Sequence, residues 1–397
     1  MKGFVMESME TPEAATSRPP SSAFIRVHLR KSLSVALLAA LLAGCATSEA
    51  PREPEGPRLT AAEGRALVSR HLPRGLKDRA GWATDIYAAF AALQVRPSPE
   101  NVCAVIAVTE QESGFQVDPV VPNLAAITWK EIDRQRERAG VPKLVLQAAL
   151  ALSSSDGRSY SDRLDAARTE HELSDVFEDF VDRVPLGRKL LADRNPVRTG
   201  GPMQVGVAFA NAHAKSRPYP YRVEGSIREE VFSRRGGVYF GTAHLFDYAA
   251  PYEGLVYRYA DYNAGHYASR NAAFQKAVTD LTGIPLQLDG DLVPREGNDS
   301  VGTTETAARV LASRLGMTPA EIRRDLELES RPDFEKSRLY ARVFALADRL
   351  GAAPAPRAVL PQIDLKSPKF TRKLTTEWFA RRVADRHRAC LARGAAA

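Results

Sequence analysis

Between Pro97-Ser98-Pro99 and Gly114 runs a stretch whose middle reads Val102-Cys103-Ala104-Val105-Ile106-Ala107-Val108. Ser98 suits a helix cap and Pro99 the first helical position, so the spacing predicts a helix over 100–113. Apolar on every side, such a helix cannot rest on a surface with one face in water; other elements must surround it. The chain is therefore organised around this segment. Its C-terminal end delivers two carboxylates, Glu110 and Glu112, to the mouth of a buried helix.

Around it the 3.6-residue period recurs. Thr60-Ala61-Ala62-Glu63 is a capping-box pattern that opens a helix, and a second runs near 78–93. Helical patterns continue at roughly 130–139, 142–153, 161–184, 227–233, 238–248 and 266–281. They resume after a Gly/Asp-rich passage, at 304–315, 319–328, 333–350 and 371–393. Strand-like alternation is scarce and no internal repeat is visible, so the expected class is mainly α. The 397 residues, 44% hydrophobic and 26% charged, have the proportions of a folded globular protein.

The N-terminus reads as an address. Arg26, Arg30 and Lys31 precede an almost wholly apolar run, 33–42, followed by Leu42-Ala43-Gly44-Cys45. Ten residues are too few to cross a bilayer about 30 Å thick, so the run is an export signal. Leu-Ala-Gly-Cys resembles the bacterial lipobox, which implies lipidation of Cys45 and, with Ala46 after it, the periplasmic face of the outer membrane. Residues 1–24 do not suit the basic start of such a signal and are expected to lie outside the translated protein. The Pro/Glu/Ser-rich stretch 46–59 reads as a flexible tether. Cys103 and Cys390 remain in an oxidising compartment, either as one disulfide or as two separate buried thiols.

The formal charge of +7 is unevenly spread. Residues 1–44 hold five basic against three acidic side chains and residues 366–393 hold nine against two, which leaves the rest slightly acidic. The excess is thus a basic C-terminal helix, which either docks on the body or reaches for anionic headgroups or acidic peptides. The export signal argues against nucleic acid.

Metal and nucleophile templates are missing: no H-E-x-x-H, G-x-S-x-G, P-loop or zinc-spaced cysteine pair occurs, and no cofactor or metal is expected. Carboxylate chemistry is left. Four pieces follow in order: Gln111-Glu112-Ser113-Gly114-Phe115, Gly201-Pro202-Met203-Gln204, Gly241-Thr242-Ala243-His244-Leu245 and Asp261-Tyr262-Asn263-Ala264-Gly265. They resemble the motifs of soluble lytic transglycosylases, in the goose-type lysozyme-like superfamily, over roughly residues 99–282. The overall layout, lipobox included, also resembles a family of proteobacterial lipoproteins of no established function.

The first resemblance implies a lysozyme-like helical domain that cleaves the MurNAc–GlcNAc β-1,4 bond of peptidoglycan glycan strands. Glu112 would be the single catalytic acid and base, with Ser113, Met203, Gln204, Tyr262 and Asn263 as substrate-binding residues. Asp118 and Asp261 are the candidates for a second carboxylate. An apolar setting would keep the Glu112 carboxyl protonated at neutral pH. Glu110, two residues away and so about 200° round the helix, reads as a structural or solvated charge. The departures are His244 for Tyr, Pro202 for Leu, and the 88 residues between Glu112 and Gly201, where the family has a short connector. The expected layout is a signal over 25–45, a lysozyme-like domain over 60–285 with a helical insertion at 120–198, and a C-terminal helical region over 286–397. A non-catalytic peptidoglycan-binding or scaffold lipoprotein and a lysozyme-type hydrolase are the alternatives.

Overall fold

Thr60 opens the first helix as its sequence pattern requires. Its hydroxyl accepts the Glu63 amide at 3.3 Å and the Glu63 carboxylate accepts the Thr60 amide at 2.8 Å, so two end groups are satisfied at once. The computed structural model describes residues 59–184, 186–191, 194–252, 254–294, 300–365 and 374–396. The signal segment, Cys45 and nearly all of the tether lie outside them.

Helix α1 (Ala61–His71) leads to α2 (Arg79–Leu93), capped by Asp78, and to α3 (Pro99–Glu112), capped by Ser98. Every residue of α3 from Val102 to Thr109 is buried. The insertion follows as α4 (Leu124–Arg138), α5 (Lys143–Leu150), α6 (Tyr160–Ala166), α7 (Glu170–Arg183) and α8 (Gly187–Leu191). The single helix expected at 161–184 is two. The chain extends at Ala167, and a second capping box between Thr169 and Glu172 starts α7.

A two-stranded antiparallel hairpin comes next, β1 (Thr199–Gly200) and β2 (Val205–Gly206), with Gly200 opposite Val205. Five helices follow: α9 (Val207–Ser216), α10 (Ile227–Phe232), α11 (Arg234–Phe246), α12 (Leu255–Ala264) and α13 (Ala268–Thr282). The last third contains α14 (Thr303–Val310), α15 (Ala312–Leu315), α16 (Pro319–Leu326) and α17 (Arg338–Leu350), then the paired strands β3 (Asp364–Leu365) and β4 (Leu374–Thr375), and α18 (Thr376–Ala395). The class is mainly α.

Three apolar clusters hold these elements. The largest surrounds α3 and takes residues from α1, α2, α11, α12 and α18. A second joins Phe274 and Val278 of α13 to Ile322, Phe334, Val343 and Phe344. A third lies within the insertion, around Tyr160, Leu164, Leu173 and Val176, and closes on Phe232 of α10. The cores therefore do not divide at residue 285: α13 sits in the second core, and α18 returns to the first.

That return settles where the basic helix goes. Phe379, Ala380, Val383 and Cys390 of α18 are buried, and Cys390 is disulfide-bonded to Cys103 in the middle of α3. Arg386 donates to Gln111 at 3.0 Å and to Glu110 at 2.6 Å, with Arg393 3.5 Å from the other Glu110 oxygen. Thr376 donates to Asn263 at 3.0 Å. Glu110 is thus the anchor of a docked helix, and the apolar face of α18 is in the core rather than turned to the envelope.

Candidate active site at the end of helix α3

Beyond Glu112 the chain turns sharply, with Gly114 at φ +58° and Phe115 at φ +66°. The turn drives Phe115 into the core, edge-on to Trp82 at 5.2 Å between ring centres. A left-handed Phe is costly and persists because the packing overrides it. The hairpin turn between β1 and β2 lies against this end of α3: Ser113 donates its hydroxyl to the Pro202 carbonyl at 2.8 Å. Gly201 has φ +71°, and a Cβ there would stand 2.0 Å from the Val231 carbonyl, so no other residue fits.

Helices α11 and α12 complete the arrangement. Gly241 of α11 leaves the space that Met203 fills; a Cβ on it would meet the Met203 sulfur at 2.5 Å. From α12, Tyr262 donates its hydroxyl to the Met203 carbonyl at 2.6 Å. The four motif segments, scattered over the 155 residues from Gln111 to Gly265, therefore converge on the end of α3.

Glu112 is the unusual group there. Its carboxyl has no hydrogen bond or ion pair with any described residue, and burial pushes its pKa up to about 8. No nearby charge contributes to the shift. The residue is not fully enclosed and keeps a path to solvent. At pH 7 such a carboxyl is about nine-tenths protonated. Tyr262 lies near enough that the Glu112 charge, added to burial, holds the phenol well above its ordinary range. The tyrosine is a neutral donor whose own proton is committed to Met203.

The remaining expected site residues divide. Gln204, left-handed at φ +50° and half-buried, donates its amide to the Gly201 carbonyl at 3.3 Å and accepts from the Thr199 hydroxyl at 3.4 Å, beside the turn. Three others are absorbed by the fold. Met203 is completely buried and seats against Gly241, so it lines no groove. The Ser113 hydroxyl is taken by Pro202 and Thr109. Asn263, although exposed, accepts from Thr376 at the start of α18.

Neither second carboxylate is available. Asp261 is fully buried, accepting from the amides of Tyr267 and Ser269 at 3.1 and 2.7 Å and from the Tyr248 hydroxyl at 3.0 Å; it caps α13 from the neighbouring helix. Burial outweighs these bonds and lifts its pKa to about 6. Asp118 lies 4.0 Å from His171, whose other ring nitrogen is 3.6 Å from Asp175, and so belongs to the insertion.

Behind Tyr262 lies an aromatic layer that the motifs reveal only in part. His244 stands edge-on to Tyr262 at 4.9 Å and stacks on His266 at 4.5 Å, which stacks in turn on Tyr248 at 4.0 Å; Phe209 touches both imidazoles. Each histidine offers Nε2 to a carbonyl, His244 to Tyr262 and His266 to His244, so both nitrogens carry the proton. Burial depresses His244 to about pKa 3 and moves His266 the same way, leaving both rings neutral. His266 directly follows Asn263-Ala264-Gly265 and was open to notice; Phe209 and Tyr248 carry no sequence signal.

The described residues thus offer one protonated carboxyl at the end of an apolar helix and a fixed phenol beside it, with no paired nucleophile among them. Among the described residues no group of three or more His, Cys, Asp or Glu is placed to hold a metal ion.

Comparison with known proteins places the chain in a family. No solved structure matches it. It is 49% identical over 366 residues, 92% of this chain and 99% of the relative, to a protein of Escherichia coli (strain K12) named "Uncharacterized protein YaiW". Residues 75–393 match the family described as "Protein of unknown function (DUF1615)", and the chain belongs to that family.

Proposed function

We propose that the chain is a peptidoglycan lytic transglycosylase with a lysozyme-like fold, acting from the periplasmic face of the outer membrane through lipid on Cys45. The observation that carries the reading is the isolated Glu112 carboxyl with its pKa near 8, at the meeting point of the four motifs. Glu112 gives its proton to the glycosidic oxygen between MurNAc and GlcNAc as the C1–O bond breaks. The resulting carboxylate then takes the proton of the muramoyl 6-hydroxyl, whose oxygen closes on C1 to leave a 1,6-anhydro end. One carboxyl serves both steps, which suits a site without a second carboxylate; a retaining glycosidase keeps two about 5–5.5 Å apart. Tyr262 limits the positions open to Glu112, and Gln204 supplies an amide at the rim.

A non-catalytic scaffold that binds peptidoglycan is the second reading. It is favoured by Ser113, Met203 and Asn263, which serve the fold and would be kept without turnover. Incubating the chain without residues 1–45 with purified sacculi, and weighing the released muropeptides by mass spectrometry, separates these. Anhydro-muropeptides from the wild type and none from Glu112→Gln support the transglycosylase. Reducing ends mean that water attacks C1, as in a lysozyme, and sacculus binding without release means a scaffold.

A further inference from the structure

Helix α5, Lys-Leu-Val-Leu-Gln-Ala-Ala-Leu, is apolar nearly all round, yet only one side of it is covered. Leu146 and Leu150, a turn apart, pack into the insertion's own core. On the other side Leu144 is 79% exposed and Val145 57%, with Ala148 exposed between them and Leu152, 53% exposed, just past the helix end. Large aliphatic side chains this bare, grouped on one helical face, mark a surface that something apolar covers.

What surrounds the face says what that is. Lys143 opens the helix, and Arg138 ends α4 on the other side of the intervening turn; both are exposed and neither forms an ion pair with a described residue. The acidic groups in the last turns of α4 form their ion pairs with other arginines, Asp133 and Glu137 with Arg136 and Glu131 with Arg134, while Arg138 acts on Glu131 only through its field. An apolar face edged by exposed cations outside any ion pair suits a bilayer surface with anionic headgroups better than a protein groove or a glycan strand. The chain before residue 59 adds a geometric argument. From Cys45 to Leu59 an extended segment spans at most about 50 Å, comparable with the diameter of a unit this size, so every face of the body is within reach of a bilayer that holds the cysteine.

We propose that the α5 face of the insertion, Leu144, Val145, Ala148 and Leu152 with Arg138 and Lys143 at its edge, is a membrane-docking surface for anionic lipid. The outer leaf of the insertion then lies on the bilayer and fixes the orientation of the body relative to it. Nothing in this depends on Glu112. It borrows from the N-terminal reading only the presence of a bilayer nearby.

The test uses the chain without residues 1–45, so that binding cannot come from attached lipid. Flotation with vesicles of 70% phosphatidylethanolamine and 30% phosphatidylglycerol is compared for wild type, Leu144→Glu/Val145→Glu and Arg138→Gln/Lys143→Gln, at low and high salt. Since the substituted side chains face solvent, unchanged thermal unfolding serves as the folding control. Expected are binding by the wild type, at least a tenfold loss for the Glu pair, and a smaller, salt-sensitive loss for the Gln pair. Failure of the wild type to float overturns the proposal. So does a wild-type dimer in sedimentation that Leu144→Glu/Val145→Glu converts to monomer, since the face then belongs to a second copy of the chain. Sacculus binding lost with the same pair while flotation persists assigns the face to peptidoglycan and also overturns it.

Discussion

Replacing Glu112 by Gln is expected to stabilise the protein by an amount set by pH. The folded carboxyl titrates at about 8, whereas in the unfolded chain it titrates near its model value of 4.5. Below pH 4.5 both states hold the proton and the native carboxyl costs nothing extra. Between the two values the unfolded chain ionises and the folded one does not, so stability falls as pH rises through the window. Above 8 the loss saturates at about 5 kcal/mol, taking about 1.4 kcal/mol for each pH unit. At pH 7 it amounts to about 3 kcal/mol. For a unit of 339 residues, with an unfolding entropy of about 2.1 cal/mol/K per residue, this is a Tm difference of about 5 °C. Gln is the same size and uncharged, so it removes the titration without opening a cavity. Thermal unfolding of both proteins at pH 4.5, 7 and 8.5 measures the effect: the gap should be near zero at the first and widest at the last. A gap that does not change with pH, or a wild type that gains stability toward pH 8.5, refutes the idea that burial holds the proton on Glu112.

His244 works at the other end of the scale. Its folded pKa of about 3 lies below the unfolded 6.5, so stability is lost as pH falls below 6.5. The loss should reach about 2 kcal/mol by pH 5 and be smaller in His244→Phe, measured by urea denaturation at pH 5 and 7.5. Tyr262→Phe leaves the buried Met203 carbonyl without its donor and should cost about 1–3 kcal/mol in the same titration, with sacculus turnover reduced. Removing the disulfide with Cys103→Ser/Cys390→Ser frees a link between residues 287 apart and should lower stability by about 2–5 kcal/mol, read as a lower urea midpoint in the variant than in the wild type. Gly241→Ala forces a methyl to within 2.5 Å of the Met203 sulfur and should lower Tm by several degrees, without moving the pH dependence assigned to Glu112.

Those effects fall on residues whose visibility in the sequence differed for physical reasons. The burial of α3 was legible because no one-sided surface can accept Val102–Val108, and the start of α1 because Thr60 and Glu63 carry both halves of a capping box. The break at Ala167 was missed although Thr169 and Glu172 form the same box, because the apolar period continues across it. Helix α9 was passed over: Val207–Ser216 is short, lacks a side-chain cap and has only Val207, Ala210 and His213 buried. At the site, Glu112 and Tyr262 were legible as a pair from motif order. Motif order is silent on direction, and the directions of Ser113, Met203 and Asp261 are set by partners 89, 38 and 8 residues away: the Pro202 carbonyl, Gly241 and the Ser269 amide. The same limit applied to α18, whose basic residues were plain in the sequence while Glu110, their partner, read as a structural or solvated charge with no partner named.

Sacculus turnover by wild type and Glu112→Gln, followed from pH 5 to 9.5, tests the central claim most directly. If Glu112 delivers the proton, anhydro-muropeptide release by the wild type should hold through neutrality and fall tenfold per pH unit above about 8, the value burial gives the carboxyl. Glu112→Gln should be inactive throughout. A wild-type rate that already falls above pH 5, or release that survives Glu112→Gln, contradicts it.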